Sequence, residues 1–323
     1  MGAITYEELR VPVRGGHLTV LRWPATVRPT TPPSPSSSSS SSSGTAPGEH
    51  APTVVALHGI TSNALSWAGV ARRLAGRVTL VAPDLRGRAG SSSLPGPYGM
   101  ATHADDTVAL IEALGLRDVV LAGHSMGAFV AAVAGVRHPD RFRSLLLVDG
   151  GVGFPVPEGL SADDLLTAVI GPAMERLKTT FPDRAAYRAF WQRHPAFDGS
   201  WEPWMEGHIQ RDLVGREPEL RSSCLLDAVR ADGADTLDEE TARAIHRLTV
   251  GGELLWAERG IMNEPQGLYD DQRLKSAGLA DTPIHPREVP GTNHYTLLLG
   301  DEGAGVVAES LLRATVGVGR TRV

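Results

Sequence analysis

The chain has 323 residues, of which 41% are hydrophobic and 21% charged, and its net charge is −6. This composition is typical of one large globular domain with an inserted segment, and the mildly acidic balance argues against nucleic acid as a partner. The only cysteine is Cys224, which excludes a disulfide framework and a cysteine-based metal site and fits a reducing compartment.

Two features bear on cellular location. Residues 1–8 have neither a basic start nor an apolar core, so they do not resemble a signal peptide. No stretch approaches the roughly 20 consecutive apolar residues that a membrane helix requires. The sequence therefore predicts a soluble cytoplasmic protein without a membrane partner.

The amino-terminal region is predicted to begin with a hairpin. Two short apolar strands at residues 9–13 and 18–23 flank a glycine pair, which is typical of a tight turn. Residues 28–50 are rich in proline and contain an unbroken serine tract. Such a segment cannot bury apolar surface, so we expect a disordered loop between strands.

From residue 53 onward, apolar runs alternate with segments of helical periodicity. This alternation predicts the α/β class, with a mostly parallel central sheet flanked by helices. Ligands on such sheets bind at the carboxyl ends of the strands. Strands are predicted at residues 53–57, 78–82, 118–122 and 144–148, and helices at residues 64–74, 100–114 and 128–134.

The strand pattern stops after residue 149. Residues 150–246 are rich in charged residues, prolines and tryptophans, and we expect them to be helical and irregular. Strands are predicted again at residues 253–257 and 287–289, followed by a final helix at residues 305–314. We therefore predict a core of residues 1–149 and 247–323, and a helical lid of residues 150–246 inserted after the sixth core strand.

Residues 123–127 have the sequence GHSMG and lie between a predicted strand and a predicted helix. In this context a G-x-S-x-G motif holds the serine on a sharp turn with its hydroxyl exposed. The flanking glycines permit strained backbone angles and close packing of helix on strand. Ser125 is therefore the candidate nucleophile, and it requires a base, an acid and an oxyanion site from elsewhere in the chain.

Four local signatures, taken in order with the predicted sheet, resemble those of the α/β-hydrolase family. They are LHGI at residues 57–60, DLRGRAGS at 84–91, GHSMG at 123–127 and PGTNHY at 290–295. The resemblance covers nearly all of the chain outside the serine tract and weakens in the insertion. It implies the α/β-hydrolase fold and a serine hydrolase activity.

The resemblance also implies the catalytic partners. The family places its histidine last in chain order, after the final strand, which indicates His294 as the general base. The usual acid position follows the strand after the insertion, and here it holds Gly260. Some members take the acid from the end of the preceding core strand, where this chain has Asp149. We favour Asp149, and keep Glu258 as the alternative acid, with Glu264 behind it.

The oxyanion hole requires two backbone N–H groups. One is expected from the residue after the nucleophile, Met126, and the resemblance implies that the other comes from Ile60. Four aromatic residues are candidates for the substrate pocket: Trp191, Trp204, Trp256 and Tyr295. For the tryptophans of the insertion, packing in the lid's own small core is the alternative interpretation.

The leading functional hypothesis is a serine hydrolase that cleaves an ester or lactone of a small, largely apolar molecule. Hydrolysis of a C–C or amide bond on the same scaffold is an alternative, and a non-catalytic small-molecule receptor is an alternative of another class. Dehalogenase and epoxide hydrolase chemistry is disfavoured, because those relatives carry an aspartate in place of Ser125. The sequence contains no metal cluster, phosphate loop or dinucleotide fingerprint, so no cofactor is expected.

Overall fold

The structure is a computed structural model that describes residues 5–26, 52–153, 159 and 162–316. The expected disordered loop at residues 28–50 lies outside the described residues. The strands are β1 Glu7–Val13, β2 Gly16–Trp23, β3 Thr53–Leu57, β4 Thr79–Pro83, β5 Val119–His124, β6 Phe142–Val148, β7 Leu213–Val214, β8 Arg221–Ser222, β9 Gly252–Arg259 and β10 Ile284–Asn293.

Helices connect most of these strands. They are α1 Ala68–Leu74, α2 Met100–Ala113, α3 Met126–Arg137, α4 Ala162–Lys178, α5 Arg184–Gln192, α6 Pro203–Arg211, α7 Leu226–Thr236, α8 Glu239–Ala242, α9 Asp271–Ser276, α10 Thr296–Leu299 and α11 Asp301–Val316. Short 3₁₀ turns occur at Ala64–Trp67, Ala89–Ser91, Pro139–Arg141, Pro195–Phe197, Ala244–Arg247 and Leu279–Asp281. None of the helices in the described part of the chain is both long and apolar enough to span a membrane.

Eight of the described strands form one sheet in the order β1-β2-β4-β3-β5-β6-β9-β10. β1 and β2 form the predicted hairpin, and β2 pairs antiparallel with β4. The other neighbouring pairs of this sheet are parallel. The prediction of a mostly parallel sheet flanked by helices is therefore confirmed.

The central strands are buried on both faces, which explains their continuous apolar sequences. Successive side chains of a strand point to opposite faces, so the neighbours Val54 and Val55 of β3 belong to different apolar clusters. The Val55 side packs against α2 and α3, and the Val54 side packs against α1 and α11. Helices on both faces leave the carboxyl ends of the parallel strands as the edge where a site can form.

The chain leaves the main sheet after β6 and returns to it at β9, as the sequence predicts. Between them, the described residues form α4 to α8 and the two-stranded ribbon of β7 and β8. Aromatic residues of this insertion build a separate apolar cluster, in which α5 buries Tyr187 and Trp191 one helical turn apart. The exact division into a core and a lid stays a prediction.

Candidate active site

Ser125 lies on the turn between β5 and α3, with φ 54° and ψ −121°. Such a backbone conformation is costly for a residue with a side chain and is found at functional sites. A Cβ at Gly123 would lie 2.0 Å from the Gly127 carbonyl oxygen, and a Cβ at Gly127 would lie 2.4 Å from the Leu57 carbonyl oxygen. Both motif glycines are therefore required, because the helix starts directly against the sheet.

His294 follows the last strand, β10, and pairs with the acid that ends β6. Its Nδ1 atom lies 2.6 Å from Oδ2 of Asp149. The other carboxylate oxygen of Asp149 accepts a hydrogen bond of 3.0 Å from the Ala257 N–H on β9. Both side chains are buried, with 7% and 0% of their surfaces exposed. Because an ionised carboxylate only accepts hydrogen bonds, Nδ1 carries the proton, and Nε2 is left to accept one.

The two alternative acids lie in other environments. Glu258 is exposed, and its carboxylate accepts a 2.7 Å hydrogen bond from the Gly291 N–H. Glu264 is also exposed and accepts a 2.8 Å bond from the Met262 N–H. Gly260 leaves no room for an acidic side chain, because its Cβ would lie 2.9 Å from the Gln266 carbonyl oxygen. Among the candidate acids, the structure thus brings Asp149 to His294.

A cavity of about 40 Å³ brings the separate parts of the site together. Ser125 and His294 both line it, together with the loop of residues 59–62 that follows β3. The insertion contributes Ile170, Trp191 and His208, and the remaining lining residues are Ser66, His124, Ile261, Tyr295, Leu298 and Leu299.

Residues 58–62, which we call the oxyanion loop, lie beside Ser125. The Gly59 carbonyl oxygen accepts hydrogen bonds from the Ser62 N–H at 3.1 Å and from His58 Nδ1 at 2.7 Å. His58 Nε2 accepts the Leu85 N–H at 2.9 Å, so Nδ1 must be the donor. Burial holds the pKa of His58 well below its usual value, which keeps the ring neutral in this role. These bonds orient the peptide that carries the Ile60 N–H.

Met126 is the first residue of α3, where helix geometry leaves the backbone N–H without an intrahelical partner. The positive end of the helix dipole lies at the same place. Ile60 and Met126 thus present N–H groups from two different elements, one from the oxyanion loop and one from the helix that begins after Ser125. Their role in binding an oxyanion stays a prediction.

The four predicted pocket residues divide into two pairs. Trp191 and Tyr295 line the cavity, whereas Trp204 and Trp256 do not. The indole N–H of Trp204 donates a 2.8 Å hydrogen bond to the Leu299 carbonyl oxygen. Trp256 is buried in the apolar cluster on the side of the sheet that packs against α2 and α3, the same cluster that contains Leu254 of β9. The structure does not bring these two tryptophans to the cavity, because packing partners distant in sequence decide which way each ring points, and a role for them in substrate binding stays a prediction.

Several lining residues were missed by the sequence analysis. Ile170, His208 and Ile261 carry no motif, and only their position in the folded chain brings them to the cavity. Leu298 and Leu299 could have been predicted, because they follow closely after the motif that contains His294. A tertiary contact between insertion and core is what creates this part of the wall.

The described residues that line the cavity include no aspartate, glutamate, lysine or arginine. Its histidines His124 and His208 are buried, and burial lowers their pKa values to about 3 and about 4. The nearby His294 lowers the pKa of His124 further. Both rings are therefore neutral near neutral pH. In the described part of the chain no group of residues is arranged to hold a metal ion.

Comparison with known proteins places the chain in a family. A model of the alpha/beta hydrolase fold matches residues 52–186. N-formylmaleamate deformylase of Pseudomonas putida is 33% identical over 182 residues, which are 52% of this chain and 68% of that protein. The chain belongs to the α/β-hydrolase fold family.

Other relatives match over shorter segments. The 2-(acetamidomethylene)succinate hydrolase of Mesorhizobium japonicum is 36% identical over 98 residues, 30% of this chain and 35% of that protein. Across the first curated relatives that it matches, the chain spans only 29% to 35% of their length. The crystal structure of E-2-(acetamidomethylene)succinate hydrolase superposes with a TM-score of 0.73 at 20% identity, over 97% of this chain and 100% of that one. This likeness concerns the fold.

Proposed function

We propose that the chain is a serine hydrolase that cleaves an ester or lactone with a short, uncharged acyl group. The observation that carries the proposal is the shared cavity of Ser125 and His294, with Asp149 hydrogen-bonded behind the imidazole. These are the nucleophile, base and orienting acid that acyl transfer requires. The curated relatives named above are hydrolases, which supports the same class of reaction.

In the proposed first half-reaction, Ser125 Oγ attacks the substrate carbonyl carbon while His294 Nε2 takes the hydroxyl proton. The carbonyl oxygen becomes an oxyanion, which the Ile60 and Met126 N–H groups bind. The tetrahedral intermediate collapses when His294 gives its proton to the leaving oxygen. The products are a free alcohol and an acyl-enzyme on Ser125.

In the second half-reaction, a water molecule gives a proton to His294 and attacks the acyl carbon. Collapse of the second intermediate returns the proton to Ser125 Oγ and releases a carboxylic acid. Asp149 holds the imidazole in the required tautomer and stabilises its cationic form in both halves. For a lactone, the alcohol and the acid are the two ends of one product.

The size and lining of the cavity support the substrate class. A volume of about 40 Å³ is far below the roughly 300–1,000 Å³ of typical drug-sized ligand sites. Because the space is this small, it suits a small group and not a long acyl chain. An acetyl or propionyl group matches that space, and a neutral lining favours an acyl group without a carboxylate.

We also propose that residues 150–246 act as a lid. Trp191 and His208 support this role, because both belong to the insertion and line the cavity beside Ser125. Movement of the lid would admit a larger alcohol portion than the cavity holds in this structure. The expected cytoplasmic location stays a prediction that cell fractionation tests.

The experiment is a comparison of kcat/KM across p-nitrophenyl acetate, butyrate, octanoate and hemisuccinate, with Ser125→Ala as the control. We expect the acetate to exceed the octanoate and the hemisuccinate by about tenfold or more. An equal or higher value for either would contradict the proposed acyl group. Ser125→Ala should lose this activity, because the substitution removes the proposed nucleophile.

A second candidate is hydrolysis of an amide or C–C bond. It is favoured by relatives such as N-formylmaleamate deformylase and the 2-hydroxymuconate semialdehyde hydrolase of a Pseudomonas strain, 35% identical over 112 residues. Turnover of p-nitroacetanilide or N-formyl amides without turnover of any ester would replace the ester proposal. Binding without turnover of any of these compounds would instead support a receptor.

A further inference from the structure

A fully buried guanidinium contacts both residues of the proposed oxyanion hole. Arg88 lies in the segment after β4, and its side chain is 0% exposed. Its Nε donates a 3.0 Å hydrogen bond to the Ile60 carbonyl oxygen, and its Nη2 lies 3.9 Å from Met126 Sδ. Nη1 donates to the Arg86 carbonyl oxygen at 2.8 Å. One side chain therefore links the oxyanion loop to the start of α3.

The charge of Arg88 is balanced from the insertion. Nη1 also forms an ion pair with Asp232 of α7, and both side chains are 0% exposed. The Asp232 carboxylate accepts two further hydrogen bonds, from the Gly99 N–H at 2.6 Å and from His103 Nε2 at 3.0 Å. Burial works to raise the pKa of Asp232, but His103 and Arg88 together lower it well below its usual value. The carboxylate is thus ionised and fixed at several points.

Stability alone gives no reason for such a pair, because the desolvation of two buried charges largely cancels their attraction. The chain contains a second buried pair for comparison. Arg86 binds Asp106 through Nε at 3.0 Å and Nη2 at 2.8 Å. Its remaining hydrogen bonds go to the carbonyl oxygens of Pro95 and Arg14. What distinguishes Arg88 is its contact with the two oxyanion residues.

A second arginine binds the next carbonyl of the same loop. Arg176 of α4 donates from Nη2 to the Thr61 carbonyl oxygen at 2.7 Å. Its Nη1 lies 2.9 Å from Asp212 Oδ2, so its charge too is balanced by a carboxylate of the insertion. Two consecutive carbonyls of the oxyanion loop, those of Ile60 and Thr61, are therefore each held by a buried arginine.

We propose that Arg88 is a positioning residue for the oxyanion hole and that Asp232 holds Arg88 in place. The inference rests on the proposed serine hydrolase function. An oxyanion hole acts through donors that already point at the developing charge, so a loop free to turn stabilises the transition state less. Turnover then depends on a contact between α7 of the insertion and the core, although neither Arg88 nor Asp232 touches the reacting atoms.

The test compares Arg88→Lys with the matched variant Arg86→Lys. Lysine keeps the positive charge beside the carboxylate in both cases but cannot reproduce the several directed bonds of guanidinium. For Arg88→Lys we expect kcat on p-nitrophenyl acetate to fall about 10²-fold with KM nearly unchanged. Affinity for a trifluoromethyl ketone, which forms a bound oxyanion, should fall in parallel. Arg86→Lys should lower the melting temperature while leaving kcat within about twofold.

Hydrogen exchange gives a readout that does not need activity. Peptides covering residues 57–66 should exchange faster in Arg88→Lys than in Arg86→Lys, measured by mass spectrometry. If Arg88→Lys does not fold, Asp232→Asn serves as the milder variant, with an expected tenfold loss of kcat and the same exchange pattern. Unchanged exchange together with unchanged kcat, or equal losses in the Arg86 control, would overturn the inference. An inactive wild-type protein would instead overturn the proposed function.

Discussion

The imidazole of His294 is held at its Nδ1 atom by Asp149, at a distance of 2.6 Å, although 145 residues separate the two in sequence. The acid comes from the end of β6, and the histidine from the end of β10, at the same edge of the sheet. The Ala257 N–H on β9, the strand between them, fixes the other oxygen of the acid. Three parallel strands thus set the orientation of one imidazole ring.

The first prediction concerns this acid. Asp149→Asn should lower kcat by roughly 10³- to 10⁴-fold. The asparagine carbonyl can keep the bond to the Ala257 N–H, but its amide then donates to His294 Nδ1. That donation forces the proton onto Nε2, the atom that must accept the Ser125 proton. Steady-state kinetics on p-nitrophenyl acetate measure the effect.

Glu258→Gln is the control for that variant, because a glutamine oxygen can still accept the Gly291 N–H that Glu258 binds. Its kcat should stay within about twofold of the wild type. A large loss in this variant, with little change in Asp149→Asn, would reassign the acid to Glu258.

The second prediction concerns stability at low pH. Burial lowers the pKa of His208 to about 4 in the folded protein, whereas an unfolded histidine titrates near 6.5. Between these values the unfolded chain binds more protons, so the free energy of unfolding falls as the pH falls. At about pH 5 this one group should cost roughly 2 kcal/mol relative to about pH 7.

Urea denaturation of the wild type and of His208→Gln at both pH values measures that contribution. The variant should lose less stability on acidification, by about 1–2 kcal/mol. Asp84 has the opposite effect, because burial raises its pKa, but it is common to both proteins and cancels in the difference. Parallel losses in the two proteins would refute the prediction for His208.

The third prediction concerns acyl-chain preference. Ile170 lines the cavity from a point where α4 departs from helical geometry, with φ −123° and ψ 31°. Ile170→Ala should enlarge the acyl space and raise the ratio of kcat/KM for butyrate over acetate about tenfold. Leu177→Ala is the matched control on the same helix, since Leu177 is half-buried and does not line the cavity. An unchanged ratio in Ile170→Ala would place the acyl group elsewhere.

The fourth prediction concerns the turn that carries Ser125. In Gly127→Ala the new methyl group would meet the Leu57 carbonyl oxygen at 2.4 Å and the His58 carbonyl oxygen at 2.8 Å. Backbone atoms cannot move aside without displacing β3, so we expect a loss of about 3 kcal/mol or more, or no folded protein.

Gly171→Ala is the comparison, because, apart from its chain neighbours and the backbone of its own helix, no atom of the described residues lies within 4 Å of its Cβ position. Alanine also favours helix over glycine, so this variant should be neutral or more stable by up to about 1 kcal/mol. Thermal unfolding measures both changes. A Gly127→Ala variant with wild-type stability would contradict the close packing of α3 on β3.

Much of the sheet could be predicted because its signals are local. Strands such as Thr53–Leu57 are buried on both faces and therefore appear as unbroken apolar runs. Helix boundaries were harder to predict, because a polar side chain can take the place of a backbone hydrogen bond at the start of a helix. The predicted helix at residues 64–74 divides into a 3₁₀ turn and α1, and the Asn63 side chain caps that turn by accepting the Leu65 N–H.

The site was predictable only in part, because some of its residues are brought together by contacts that no local sequence signal marks. Ser125 lies in a short motif with its own structural context, whereas His294 and Asp149 followed from the family resemblance. Arg88 was missed, because its contacts lie 28, 38 and 144 residues away in sequence, at Ile60, Met126 and Asp232. No local pattern specifies such contacts, because the fold of the core brings Ile60 and Met126 to Arg88 and the packing of the insertion adds Asp232.

The central claim is that the Ser125 hydroxyl is activated by His294. Its most direct test is covalent labelling with a fluorophosphonate probe, which reacts with activated serines, followed by mass spectrometry of the peptide that contains residue 125. Folded wild-type protein should carry one label on Ser125, and both Ser125→Ala and His294→Gln should carry none. A folded wild-type protein that stays unlabelled, or a label on a different residue, would contradict the account.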